Sequence, residues 1–302
     1  MKSFIITILL FFIGNTVSGQ IKVVNTNLSA LKEKLEKEIQ VSQGIFAVAF
    51  KEIGNEENQF AINGDEVFHA ASTMKTPVMV EVFKQSLAGK FSLQDSLLVK
   101  NEFKSIVDGS SYSLDVKDDG DDKIYFLIGQ KRMIYDLIYD MITVSSNLAT
   151  NLLIELVGPE NVTQTMKEYG LEKIKVLRGV EDLKAYELGW NNTVTADDLM
   201  KLYELIATHQ ILSKQICEEM IKILLDQKFK DKIPKYLPEN VKVAHKTGSI
   251  SKVEHDSGII FLPDGRKYIL VILSKQLDDN EKGKETIARI SKFIYDYLME
   301  KL

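Results

Sequence analysis

The chain has 302 residues, of which 45% are hydrophobic, enough for one large or two small domains with a sizeable core. Its formal charge of −5 at pH 7 argues against the basic face that a nucleic-acid-binding protein needs, and the sequence contains no glycine-rich phosphate loop. We therefore expect a globular protein without a nucleic-acid partner.

The first 19 residues have the three parts of a secretory signal peptide. Lys2 supplies a positive charge, residues 4–13 are apolar, and residues 17–19 are small enough for cleavage. An apolar run of this length is short for a membrane span, which needs about 20 residues. We predict export to the periplasm or the medium, with no membrane anchor in the mature chain.

The two ends of the mature chain carry the patterns of helices and strands. Apolar residues at helical spacing predict helices over residues 28–39 and 285–302, and runs of strand-forming residues predict five strands. These strands cover residues 44–53, 59–62, 241–245, 258–262 and 268–273. The first two form a hairpin, and a Pro-Asp-Gly turn joins the last two.

The middle of the chain consists mainly of predicted helices. This order predicts an α/β fold of the α+β type, in which an antiparallel sheet is flanked by the N- and C-terminal helices and an all-helical domain is inserted. We assign residues 20–66 and 227–302 to the sheet domain and residues 67–226 to the helical domain. The single cysteine, Cys217, is expected to be a buried residue of a helix over residues 211–225.

The tetrapeptide Ser72-Thr73-Met74-Lys75 combines a nucleophile with a base. A lysine three residues after a serine lies one helical turn further on the same face, so its amine can reach the hydroxyl and take its proton if its pKa is lowered. Residues 78–85 predict a buried helix whose N-terminus, near Ser72, favours developing negative charge. Alone, such a pair is more often a helix-capping serine followed by an exposed lysine.

Two further motifs follow in the order of the chain. Ser145-Ser146-Asn147 opens an apolar helix over residues 148–157, and Lys246-Thr247-Gly248 ends an alternating strand. Either motif alone has an ordinary structural reading, as helix caps or as a solvated charge at a strand end. The three together, with these spacings in helix, helix and strand, favour a catalytic serine.

In these motifs the chain resembles the superfamily of class A β-lactamases and penicillin-binding proteins. Ile233-Pro234-x-x-Leu237-Pro238, ahead of the third motif, and residues 192–199, after the family's Ω-loop, are also similar to class A enzymes. The resemblance covers nearly all of the mature chain. It implies a two-domain fold and a mechanism through an acyl-serine intermediate.

The resemblance also implies roles for individual residues. Ser72 attacks the substrate carbonyl, and the backbone N–H groups of Ser72 and Ser249 form the oxyanion hole. Ser145 relays a proton to the leaving nitrogen, and Lys246 supplies a positive charge beside it. Asn147 hydrogen-bonds both Lys75 and the side-chain amide of the substrate, and Thr247 contacts the substrate carboxylate.

The Ω-loop, which includes residues 178–188 and ends before Asn192, is expected to carry the glutamate that activates the deacylating water. Glu181 is the best candidate because it follows Arg178 closely, although the interval is one residue longer than the usual pattern. Asp182 and Glu187 remain alternatives, and Glu181 could also be a surface carboxylate.

Two other positions depart from the family pattern. Ser146 replaces the acidic residue in the middle of the second motif, for which we expect a local change in packing without loss of activity. Residues 251–258 contain no arginine to bind the substrate carboxylate, and Lys252 or His255 could replace it.

The prediction is an exported serine β-lactamase, monomeric, whose partner is a small β-lactam. The four histidines lack metal-binding spacing, and the Asp-rich residues 108–123 lack the glycine and glutamate of an EF-hand, so we expect a surface loop there and neither a metal nor a cofactor. Two alternatives share the scaffold: a penicillin-binding DD-peptidase or esterase-like hydrolase, and a β-lactam sensor that is acylated without turnover.

Overall fold

A computed structural model describes residues 26–300 of the chain, so the predicted signal peptide lies outside the described residues. The helices are α1 (Thr26–Val41), α2 (Lys75–Leu87), α3 (Ile134–Thr143), α4 (Asn147–Val157), α5 (Pro159–Glu168), α6 (Leu183–Glu187), α7 (Ala196–Ala207), α8 (Lys214–Leu225) and α9 (Asn280–Met299). The strands are β1 (Ile45–Glu52), β2 (Gln59–Ile62), β3 (Phe68–His69), β4 (Ser96–Leu98), β5 (Phe103–Lys104), β6 (Ser111–Tyr112), β7 (Lys131–Met133), β8 (Thr193–Val194), β9 (Lys242–Ile250), β10 (Val253–Phe261) and β11 (Lys267–Lys275).

Five strands form one antiparallel sheet in the order β2-β1-β11-β10-β9. Strand β9, which carries the third motif, therefore lies at an edge, where alternate backbone N–H groups point away from the sheet. The short strands pair as β3 with β8, β4 with β7 and β5 with β6. The sheet thus presents the third motif to the helices that carry the first two.

Both faces of the sheet are covered, because its central strands are apolar on both sides. In β1, Phe46, Val48 and Phe50 belong to a core shared with α1 and α9, whereas Ala47 and Ala49 belong to the core on the opposite face. This alternation follows from the two-residue period of a strand. Helix α7 contacts β1, β10 and β11 on that opposite face.

The predicted fold class is confirmed, and most of the predicted elements coincide with observed ones. The largest differences are that β9 continues to Ile250 instead of residue 245, β10 begins at Val253 instead of residue 258, and α9 begins at Asn280 instead of residue 285. Helix α8 begins at Lys214 instead of residue 211, since the Ser213 side chain caps it by accepting from Ile216 N. Cys217 is buried in that helix, as predicted. Within residues 26–300, none of the helices combines the length and apolar character that crossing a membrane requires. The division into two domains stays a prediction.

Candidate active site

Ser72 lies in a 3₁₀ turn, Ala71–Met74, that runs directly into α2. Ala71 enters the turn with a φ of +44°, and the Lys75 N–H donates back to Ser72 O. Strand β9 passes close to this turn at Gly248, where a methyl group would lie 3.2 Å from Ser72 N. Glycine therefore allows β9 to approach the backbone of the nucleophile. An oxyanion hole built from one N–H of the turn and one N–H of β9 requires this close approach.

Lys75 is fully buried at the start of α2. Its Nζ donates to Ser145 O at 2.7 Å, to Ser145 Oγ at 3.2 Å and to Asn147 Oδ1 at 2.8 Å. All three bonds go to the second motif and not to Ser72, the partner that the sequence suggested. Burial lowers the pKa of Lys75 to about 7, against the opposing effect of the Asp119 and Glu181 carboxylates.

Ser145 lies between the two lysines of the other motifs. It has a left-handed φ of +58°, and its Oγ accepts from Lys75 Nζ and, at 3.0 Å, from Lys246 Nζ. With both lone pairs used, its own proton is free to be donated into the cleft. Burial, together with the charges of Lys75 and Lys232, holds the pKa of Lys246 well below its usual value.

Asn147 connects Lys75 to the Ω-loop. Its Oδ1 accepts from Lys75, while its Nδ2 donates to Asp118 O and to Glu181 Oε1, each at 3.1 Å. Each end of the amide is thereby fixed. The side chain predicted to bind substrate also orders the groups around the nucleophile.

The structure places Glu181 beside the other motif residues. It has a left-handed φ of +62°, is half-buried, and its Oε2 accepts from Asp115 N at 3.2 Å. Burial raises the pKa of its carboxyl. The alternatives lie elsewhere: Asp182 is buried, capping α6 and accepting from Ser105 Oγ, and Glu187 is exposed.

Arg178 holds the Ω-loop together by donating to uncharged oxygen atoms. Arg178 donates to the carbonyls of Gly179 and Trp190 and to Asn191 Oδ1, and Asn192 bonds the backbone of Arg178 in both directions. The side chain of Asn151, in α4, binds both backbone groups of Val180: it accepts from the N–H and donates to the carbonyl. Sequence reasoning missed Asn151, whose only signal is its place one turn after Asn147.

The motifs line a cleft of ≈ 350 Å³ that contains Ser72, Ser145, Asn147, Thr247 and Ser249. An adjoining cavity of ≈ 430 Å³ shares Ser72 and Asn147 and reaches Glu181. The predicted site residues other than the buried lysines therefore border one continuous depression. Lys75 and Lys246 are buried beneath this depression, and the Nζ atom of each donates to Ser145 Oγ.

Neither candidate for the carboxylate-binding cation faces this cleft. Lys252 is exposed in the turn between β9 and β10. His255 is fully buried with its pKa lowered to about 4, and its Nε2 donates to His69 O, so it is uncharged at neutral pH. Lys232, which the sequence analysis missed, does line the cleft, paired with the buried Glu254 at 2.5 Å.

The Asp-rich stretch is more than the predicted surface loop. Strand β6 lies inside it, and its residues 117–120 border the cleft. Asp118 and Asp119 accept from Asn147 of the second motif, and the Asp115 N–H donates to Glu181 of the Ω-loop. Most of its residues are exposed, as expected of a surface loop. Its additional contacts join residues about 30 and 65 positions apart, which local composition does not reveal.

Comparison with known proteins identifies the family. From residue 30 to residue 298, the chain matches the sequence model of a family described as "Beta-lactamase enzyme family". The chain belongs to this β-lactamase family. The family, the fold and the enzyme class predicted from the three motifs, a serine β-lactamase, are thereby confirmed.

Individual relatives are distant but cover nearly the whole chain. The β-lactamase VEB-1 of Pseudomonas aeruginosa is 25% identical over 291 residues, 92% of this chain and 93% of VEB-1. The solved structure of PBP-A has a TM-score of 0.77 and 26% identity, covering 91% of this chain and 97% of PBP-A. That of a β-lactamase from Sphaerobacter thermophilus has a TM-score of 0.73 and 25% identity, covering 90% and 96%.

Proposed function

We propose that the chain opens the β-lactam ring by transferring the acyl group to Ser72, and that Glu181 then directs hydrolysis of the acyl-enzyme. The observation that carries the proposal is the Glu181 carboxylate, hydrogen-bonded to Asn147 in the cavity that Ser72 also lines. A base at this position separates a turning-over lactamase from a protein that stops at the acyl-enzyme.

For acylation, Lys75 is the proposed base. Its pKa of about 7 leaves a substantial fraction of the amine neutral at physiological pH, as a proton acceptor must be. The developing oxyanion would be stabilised by the N–H groups of Ser72 and Ser249. Ser145, with Lys246 beside it, would give its proton to the leaving ring nitrogen.

Substrate binding would use the other side of the cleft. Thr247 and Ser249 line it on β9, and Lys232, paired with Glu254, lies at the same end. The Thr247 hydroxyl can donate a hydrogen bond to a carboxylate on the substrate. Asn147 would contact the side-chain amide of the substrate.

For deacylation, Glu181 has free acceptor capacity with which to bind a water. Each of its carboxylate oxygens accepts one hydrogen bond from the protein, which leaves each with further acceptor capacity. The raised pKa of Glu181 makes it a better base than an exposed glutamate. The water would then attack the ester carbonyl of acyl-Ser72.

The test is nitrocefin hydrolysis combined with mass spectrometry of the intact protein. Glu181→Gln keeps the shape of the side chain and removes its basicity, so we expect a burst of acylation followed by turnover slowed about 10²- to 10⁴-fold. Glu187→Gln, a matched change on an exposed residue of the same loop, should behave as wild type. If Glu187→Gln stalls and Glu181→Gln does not, the assignment of the base is wrong.

The same assay separates the proposal from its main alternative. A mutant of PBP-A, a structural relative, has been solved as its acyl-enzyme complex with penicillin G. If the wild-type chain is acylated once and then stalls, it is a penicillin-binding protein or sensor and not a lactamase. We further propose that the chain is exported, on the strength of residues 1–19, and that it acts as a monomer.

A further inference from the structure

The second motif lacks the acid of the family pattern, yet a carboxylate still lies at the start of α4. Asp119, from the Asp-rich loop, accepts from Asn147 N at 2.8 Å through Oδ1 and from Leu148 N at 2.9 Å through Oδ2. Ser146 caps the same helix end more weakly, accepting from Ala149 N at 3.3 Å. Three of the N–H groups that a helix leaves free at its first turn thus have acceptors.

The loop that carries Asp119 is closely docked. A methyl group at Gly120 would lie 2.1 Å from Val144 O, so only glycine lets the loop sit against the backbone ahead of Ser145. Tyr125 OH donates to Asp119 Oδ2 at 2.9 Å and fixes the carboxylate from its other side. The position of Asp119 is therefore set by the loop independently of α4.

Fixing the start of α4 fixes the groups around Lys75. Asn147 is the first residue of the helix, and the same residue that donates its N–H to Asp119 holds Lys75 Nζ through Oδ1. A shift of the helix end would move Asn147 away from both Lys75 and Glu181. Displacements of about 1 Å in such positioning groups cost about 10²-fold in rate.

We propose that Asp119 is a positioning residue for acylation, supplying from a distant loop the carboxylate that the Ser145-Ser146-Asn147 motif lacks. It clamps the N-terminus of α4 so that Asn147 holds Lys75 in place, and its negative charge acts on the Lys75 amine. This inference rests on the proposed acylation of Ser72.

The charge of Asp119 makes its proposed role visible in the pH dependence of acylation. Three charged side chains act on Lys75 from the elements packed around it: Asp119 from the loop, Glu181 from the Ω-loop and Lys246 from β9. The two carboxylates favour the protonated amine. Removing the Asp119 charge therefore lowers the pKa of Lys75, and the acidic limb of the acylation profile moves to lower pH.

The experiment compares Asp119→Asn with Asp122→Asn, which removes the same charge from an exposed residue of the same loop. Single-turnover acylation by nitrocefin is followed from pH 5 to pH 9, and thermal unfolding is recorded for each variant. For Asp119→Asn we expect acylation about 10- to 100-fold slower, with its acidic limb at lower pH. Asp122→Asn should match wild type in both rate and profile.

Tyr125→Phe provides a second variant that keeps the Asp119 charge. It removes one support of the carboxylate and should slow acylation severalfold while leaving the acidic limb in place. A purely structural role for Asp119 would lower the unfolding temperature without moving the limb, and that result overturns the proposal, as does wild-type acylation by Asp119→Asn. If wild type itself is not acylated, the proposed function fails together with this inference.

Discussion

The ion pair beneath the cleft allows a stability prediction with a worked magnitude. Lys232 and Glu254 are 3% and 1% exposed at the side chain, and Lys232 also donates to the carbonyls of Gly248 and His255. Removing one member of a buried pair costs about 3–5 kcal/mol, because the other charge is left uncompensated.

For Lys232→Met we expect the lower end of this range. Glu254 would keep two donors, Ser249 Oγ at 2.7 Å and Asn280 Nδ2 at 2.9 Å, which stabilise part of its charge. A loss of about 3 kcal/mol in the free energy of unfolding corresponds to a fall of roughly 5 °C in Tm, because a chain of 302 residues unfolds with an entropy of about 0.6 kcal/mol/K.

Urea unfolding followed by circular dichroism measures the effect. The control is Lys100→Met, which breaks the exposed pair with Glu155 and should cost less than about 1 kcal/mol. The double variant Lys232→Met/Glu254→Gln should be more stable than the sum of the two single losses implies. A loss for Lys232→Met no larger than that of the control would refute the reasoning.

Three further predictions concern the reaction. Ser72→Ala should abolish covalent labelling by penicillin and leave the unfolding transition intact, and a label that persists in mass spectra would show that another residue is the nucleophile. Lys75→Ala should slow acylation about 10²- to 10⁴-fold. Because the pKa of Lys75 is about 7 and its neutral form is the base, wild-type acylation should fall about tenfold per pH unit below that value. Acylation that is independent of pH between 5 and 7 would contradict this role.

The sequence predicted those parts of the molecule that local pattern determines. A continuous run of strand-forming residues predicted β1 with its hairpin partner β2, and the helical spacing of Ile287, Ile290 and Ile294 predicted α9. The motifs predicted Ser72 as nucleophile and Lys75 as its base, because helical spacing places both on one face. In the structure Lys75 bonds the second motif instead of Ser72, and the two roles stay a prediction.

Contacts between distant segments could not be predicted in the same way. Asp119 meets Asn147 across 28 positions, and Lys232 meets Glu254 across 22, while nothing in the local composition marks either pairing. The carboxylate of the Ω-loop was ambiguous in sequence because three acids lie within seven residues. The left-handed backbone at Glu181 and the capping role of Asp182 separate them in three dimensions.

The chain contains one tryptophan, and it lies in the Ω-loop. Trp190 is 46% exposed, its backbone carbonyl accepts from Arg178, and its backbone N–H donates to Ala185 O. All the tryptophan emission of this protein therefore comes from the segment that carries the proposed deacylation base. The enzyme has a built-in optical reporter, which can follow opening or reordering of that loop during a catalytic cycle without any label.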